Sequence, residues 1–152
     1  MEQVSGRAGR RQKQGKVVIQ TFDPDNKLIR LMLRHDYLSM YELQIDERKV
    51  FNYPPFSRMI RISLKHKNRS ELNEFAGQLG DDLRAIFGKR ILGPEYPVIS
   101  QIQSWYIKTI LIKIEKEKPL RKAREMIRES IDRIGKMRGA GGLRIVVDVD
   151  PY

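Results

Sequence analysis

The chain has 152 residues, enough for one ordinary core or for one compact domain plus part of another. Hydrophobic residues make up 40% and charged residues 32%, a globular composition. No apolar run approaches the ~20 residues of a membrane-spanning helix, and the N-terminus lacks the charged start, apolar middle and small-residue cleavage site of a secretory signal. Thirty Lys and Arg against nineteen Asp and Glu give a net charge of +11, which attracts polyanions, either phosphate backbones or anionic membrane surfaces. The strongly apolar stripes are needed for a core, so the charge favours nucleic acid and argues against a membrane partner. There is no cysteine, and His35 and His66 are far apart, so neither a disulfide framework nor a metal site is expected. A cytoplasmic location is the matching expectation.

In chain order, Met1–Gly15 is polar, basic and glycine-containing, and Lys16–Thr21 (KVVIQT) then reads as one β-branched strand with no preceding partner. A lone strand is not a fold, so the chain is expected to begin inside a larger protein. Asp23-Pro24-Asp25-Asn26 is a turn and helix-start signal. Broken helical periodicity from Leu28 to Arg48 predicts one or two connecting helices. Tyr53-Pro54-Pro55-Phe56 stops any helix, because proline lacks the backbone donor and restricts the residue before it. A boundary near Asn52 follows, dividing the chain into residues 1–22, 23–53 and 54–152.

The last segment has a regular pattern. Ile60, Ile62 and Leu64 alternate with Arg61, Ser63 and Lys65, the period of a strand with one buried face. Leu72, Phe75, Ala76, Leu79, Leu83, Ile86 and Phe87 recur at three and four, predicting an amphipathic helix opened by Ser70 and closed by Gly88. Residues 90–103 hold a Gly93-Pro94 turn and a short apolar stretch around Val98 and Ile99. Tyr106–Ile114 reads as a long strand. Pro119 opens a second helix with the stripe Leu120, Ala123, Ile127, Ile131 and Ile134, and Leu143, Ile145, Val147 and Val149 alternate in a closing strand. Strand, helix, strand, strand, helix, strand predicts an α+β domain of the ferredoxin-like split βαβ type, two helices covering one face of a four-stranded antiparallel sheet.

Gln3-Val4-Ser5-Gly6-Arg7-Ala8-Gly9-Arg10 fits Q-x-x-G-R-x-G-R and resembles motif VI of superfamily 2 helicases. Glycines permit close approach to a nucleotide, and a planar, permanent guanidinium stabilises charge that develops in phosphoryl transfer. GKVVIQTFDPDN, HDY, ERKVFNYPPFSR and the terminal VVDVDPY follow in order, and together these landmarks resemble the primosomal protein N′ family of bacterial replication-restart helicases over essentially the whole chain.

The resemblance implies the following. Residues 1–22 would end the second RecA-like helicase lobe, 23–53 would be a helical linker, and 54–152 would be a C-terminal domain resembling a small-subunit ribosomal protein and contributing to DNA binding. Arg7 and Arg10 would be arginine fingers, and Gln3 and Gly6 would accompany them at the nucleotide. The intact protein would be an ATP-dependent 3′ to 5′ DNA helicase using Mg and containing Zn, which recognises forked or branched DNA and begins primosome assembly. The tail of single-stranded-DNA-binding protein and other primosome proteins would be partners. This chain has neither the G-x-x-x-x-G-K-[ST] phosphate loop nor an acidic Walker B segment, so no ATPase activity and no cofactor are expected of it alone. A free-standing ribosomal-protein-like module for RNA or DNA, without enzymatic activity, is the alternative.

Two DNA surfaces are legible. One is the open sheet face, with Arg61 and Lys65 beside Thr109, Lys113 and Arg144. The other runs from Pro119 to Arg144, where eight basic residues against three acidic ones give a net +5. There Arg121, Arg124 and Arg128 share a helical face, while Lys136, Arg138 and Arg144 flank a glycine-rich loop whose backbone could approach a phosphate. Trp105 and Tyr106 begin a strand and could stack on an unpaired base or anchor a hairpin.

Overall fold

A computed structural model describes residues 17–151. The chain divides into two compact units, one ending at Gln44 and one running Ile45–Tyr152. Helix α1 is Lys27–Leu33, capped by Asn26, whose side chain accepts from the Leu28 N–H. Helix α2 is Tyr37–Val50, and it ends before the Tyr53-Pro54-Pro55 stop as the sequence requires. The strand expected at Lys16–Thr21 is not found: Val17–Thr21 carries no ladder. Extended backbone becomes a strand only when a neighbour takes its hydrogen bonds, and the described residues offer this segment none.

The second unit contains β1 (Ser57–His66), α3 (Arg69–Phe87), β2 (Ile91–Glu95), β3 (Gln101–Ile102), β4 (Trp105–Glu115), α4 (Leu120–Gly135) and β5 (Arg144–Val149). The sheet order is β2-β4-β1-β5 with β3 paired to the start of β4, and every pairing is antiparallel. The sheet therefore has five strands rather than four.

Alternation puts Ile60, Ile62 and Leu64 of β1 and Ile110, Ile112 and Ile114 of β4 on the face covered by the two helices. Helix α3 meets that face with Leu72, Phe75, Ala76, Leu79 and Leu83, and α4 with Ala123, Ile127 and Ile134. Each fully buried Leu or Ile contributes about 1.5–3 kcal/mol of apolar transfer, so this layer is the main source of stability.

Three local expectations change. The N-cap of α3 is Asn68, not Ser70. Its Oδ1 accepts from Ser70 N–H at 2.9 Å and Glu71 N–H at 3.4 Å, and its Nδ2 donates to Glu71 Oε1 at 2.9 Å. Within residues 90–103 the longer strand is Ile91–Glu95, and Gly93-Pro94, expected as a turn, lies inside it as a register irregularity. Val98 and Ile99 are exposed. Pro119 is the residue before α4 rather than its first.

Candidate nucleic-acid interface

Strand polarity decides which side chains meet. In β1 the residues opposite the helix-covered face are Arg61, Ser63 and Lys65. Their cross-strand neighbours are Leu111, Thr109 and Ile107 on β4, and Asp148, Val146 and Arg144 on β5. β1 ends where β4 and β5 begin, and β2 ends beside Lys108–Thr109. One end of the sheet thus gathers the β1–α3 connection, the β3–β4 hairpin, the start of β5 and the loop that leads into it from α4.

Basic and aromatic residues concentrate at that end. Lys65 and Arg144 are direct cross-strand partners. The Arg144 guanidinium lies 4.2 Å from the Trp105 ring centroid, and Lys67 Nζ lies 5.6 Å from it. On the helix side of the same end, Arg69 and Lys108 flank Tyr96 at 5.2 and 4.8 Å. Arg69 Nε–H donates to the Tyr96 hydroxyl at 3.1 Å, and that hydroxyl donates to Asn73 Oδ1 at 2.8 Å. Burial pushes the Tyr96 phenol up, but the hydrogen bonds from Arg69 and with Asn73 and the charges of Arg69 and Lys108 outweigh it and hold the group below its ordinary range. Lys136 and Arg138, both exposed, belong to the α4–β5 loop at this end.

The loop itself is built on His66. This residue continues the inward register of Ile60, Ile62 and Leu64 and is 6% exposed. Its Nδ1 lies 3.0 Å from both the backbone nitrogen and the carbonyl oxygen of Asn68, and its Nε2 lies 3.5 Å from Glu71 Oε2. Phe75 meets the ring edge-on. A Cβ on residue 142 would lie 2.6 Å from His66 Nε2, so only glycine lets the backbone pass there. Gly139, at φ +89°, takes a conformation that side chains resist. Gly142 thus serves close packing against His66, while a Cβ at Gly141 would meet open space.

The remaining sequence-derived candidates scatter. Arg61 is ion-paired with Asp148 at 2.8 Å on the open face. Lys113 lies at the far end of that face, where its Nζ donates to the Phe51 carbonyl at 2.8 Å and sits 3.9 Å from the Tyr53 ring centroid. Burial holds its pKa below the ordinary lysine value. Its cross-strand neighbour Met59 is fully buried, so this part of the face is covered. Arg121, Arg124 and Arg128 are exposed on the side of α4 away from its buried stripe, across the helix layer from Arg61 and Lys65, and Arg121 is paired with Glu125. These two groups cannot share one contact surface. Gln3, Gly6, Arg7 and Arg10 lie outside the described residues.

Lys67, Arg69, Lys108 and Tyr96 were not singled out from the sequence. The spacing of Lys65, Lys67 and Arg69, three cations two residues apart at the end of a strand, was the available signal.

A sheet end of this kind belongs to α+β domains with a positively charged, aromatic-bearing surface suited to a polyanion. The family model for the Primosomal protein N C-terminal domain matches residues 49–152, and the chain belongs to that family. It is similar to the Replication restart protein PriA of Bacillus subtilis (31% identity, 100% of this chain and 19% of that protein) and of Treponema pallidum (30%, 99% and 22%). A shorter match to the protein of that name from Chlamydia trachomatis has 51% identity over 39% of the chain and 8% of that protein. The chain spans about a fifth of the length of the first two relatives.

Proposed function

We propose that the chain acts in replication restart as the C-terminal part of an ATP-dependent 3′ to 5′ DNA helicase, and that its second unit binds forked or branched DNA. The observation that carries the reading is the sheet end where Lys67 and Arg144 lie over the Trp105 ring, Lys65 is the cross-strand partner of Arg144, and the exposed Lys136 and Arg138 stand in the loop that leads into β5, in a chain of net charge +11. The names of the relatives supply the process. The strand order β2-β4-β1-β5 with both helices on one face supports the ferredoxin-like split βαβ assignment.

In the intact protein, Arg7 and Arg10, accompanied by Gln3 and Gly6, are proposed to reach the terminal phosphate of ATP from the second motor lobe, of which residues 1–22 would be the end. The ATP and Mg site and the zinc ligands are proposed to lie in other parts of that protein, since this sequence has neither a phosphate loop nor cysteine. The tail of single-stranded-DNA-binding protein and the other primosome proteins are proposed partners, in the cytoplasm.

The test is anisotropy of labelled forked DNA titrated with the 152-residue chain across a salt series. Phosphate neutralisation releases counterions, so log affinity should fall linearly with log salt and depend little on base sequence. No binding at low salt, or affinity indifferent to salt, would overturn the proposal.

A further inference from the structure

We infer that Trp105 is a stacking platform for an unpaired nucleobase, so that the nucleic acid held at this end of the sheet is single-stranded DNA. The inference deepens the DNA-binding reading above and rests on it. Trp105 is half-buried at the start of β4, on the open side of the sheet, and its partner in the hairpin, Ile102, is exposed. A tryptophan that only anchored a hairpin would be enclosed by apolar groups. Here the groups over the ring are two cations, Arg144 at 4.2 Å and Lys67 at 5.6 Å, with Lys65 directly across from Arg144.

Among the described residues none of these three cations forms an ion pair, although Arg61 on the same face does. Two cations over one aromatic ring, with a third across the strand from one of them, are the complement of a ligand that carries both anionic groups and a flat π face. A nucleotide strand has both. Its phosphates meet Lys65 and Lys67, and a base stacks on the indole or on the planar guanidinium of Arg144 above it. Paired bases of a duplex are already stacked and present no face, so this geometry discriminates against duplex DNA. Gln101 and Gln103 in the adjoining hairpin add no charge, which leaves the ring as the contact that the hairpin offers.

Trp105 is the sole tryptophan of the chain, so its fluorescence reports on this site alone. The chain is titrated with oligo-dT and with a duplex of equal phosphate content. Oligo-dT should quench the emission and the duplex should not. Trp105→Ala should weaken oligo-dT binding roughly tenfold, within the range that stacking on one base supports, and change duplex affinity less than twofold. Trp105→Phe keeps an aromatic face and should retain most of the binding, which guards against an alanine variant that fails to fold.

Equal quenching by both DNAs, quenching by neither, or equal weakening of both affinities in Trp105→Ala would overturn the inference and leave the general DNA-binding reading standing. Failure to bind either DNA would overturn both. Quenching by polyglutamate of matched charge, with displacement of oligo-dT, would place an acidic polypeptide on the ring and overturn the single-strand assignment.

Discussion

Gly142→Ala tests how the basic loop is held. The added Cβ would lie 2.6 Å from His66 Nε2, 3.2 Å from Cδ2 and 3.6 Å from Cε1. The imidazole has little room to yield, being 6% exposed, bonded to the Asn68 N–H at 3.0 Å and edge-on to Phe75. Displacing it sacrifices a hydrogen bond of about 1 kcal/mol, and forcing the methyl in beside it costs about 1–3 kcal/mol of overpacking. A destabilisation of about 1–3 kcal/mol should lower the melting temperature by roughly 5–15 °C, on the scaling for a unit of ~100 residues. Thermal and urea melts of the single variants Gly142→Ala and His66→Ala and of the double variant form the assay. Removing the ring makes room for the methyl, so in the His66→Ala background the glycine substitution should cost less than about 0.5 kcal/mol, a coupling of at least about 0.5 kcal/mol. Equal cost in both backgrounds would refute the packing argument.

Acid stability offers a second test at the opposite end of the sheet. Arg90 Nε–H donates to Glu115 Oε1 at 2.7 Å, and that bond, with the Arg90 charge, holds the Glu115 carboxyl below its ordinary range. A depressed carboxylate stabilises the fold above its unfolded pKa, and the benefit is lost as pH falls through the folded value. Arg90→Gln should therefore cost about 0.5–1 kcal/mol at pH 7, a figure limited by solvent screening of this half-exposed pair, and nothing once Glu115 is protonated in both states. A cost that persists unchanged at the lowest pH would assign it to packing. On the proposed reading of Arg10 as an arginine finger of an intact helicase, Arg10→Ala in that protein should cut ATP turnover at least a hundredfold while leaving DNA affinity largely intact, because such a group acts on the phosphoryl-transfer transition state. Steady-state turnover and anisotropy on one preparation check both halves.

Most of the core was legible because its periodicities are clean. Ile60, Ile62 and Leu64 declare a half-buried strand, and the stripes of α3 and α4 repeat at three and four. The same alternation extends to His66, whose inward position could have been read. β2 was obscured because Gly93-Pro94 is ordinarily turn chemistry, and the apolar stretch around Val98 and Ile99 is exposed. Asn68 and Ser70 are equally good caps by type, and only the backbone path chose Asn68. The site was half legible. Lys136, Arg138 and Arg144 form a local sequence cluster, but Lys67, Trp105 and Arg144 meet only through the register of β1 with β4 and β5. Helical spacing grouped Arg121, Arg124 and Arg128 correctly, yet it could not tell that their face lies across the helix layer from Lys65.

The central claim is that this sheet end is the DNA surface, and a salt titration on forked DNA with two charge-matched variants tests it most directly. One replaces Lys136, Arg138 and Arg144 by alanine; the other replaces Arg121, Arg124 and Arg128. Each phosphate contact contributes about one unit to the slope of log affinity against log salt. The first variant should lose up to about three units and bind every fork more weakly, while the second keeps the wild-type slope. If the first variant stays folded with an unchanged slope and the second flattens it, DNA lies on the outer face of α4 and the claim is contradicted.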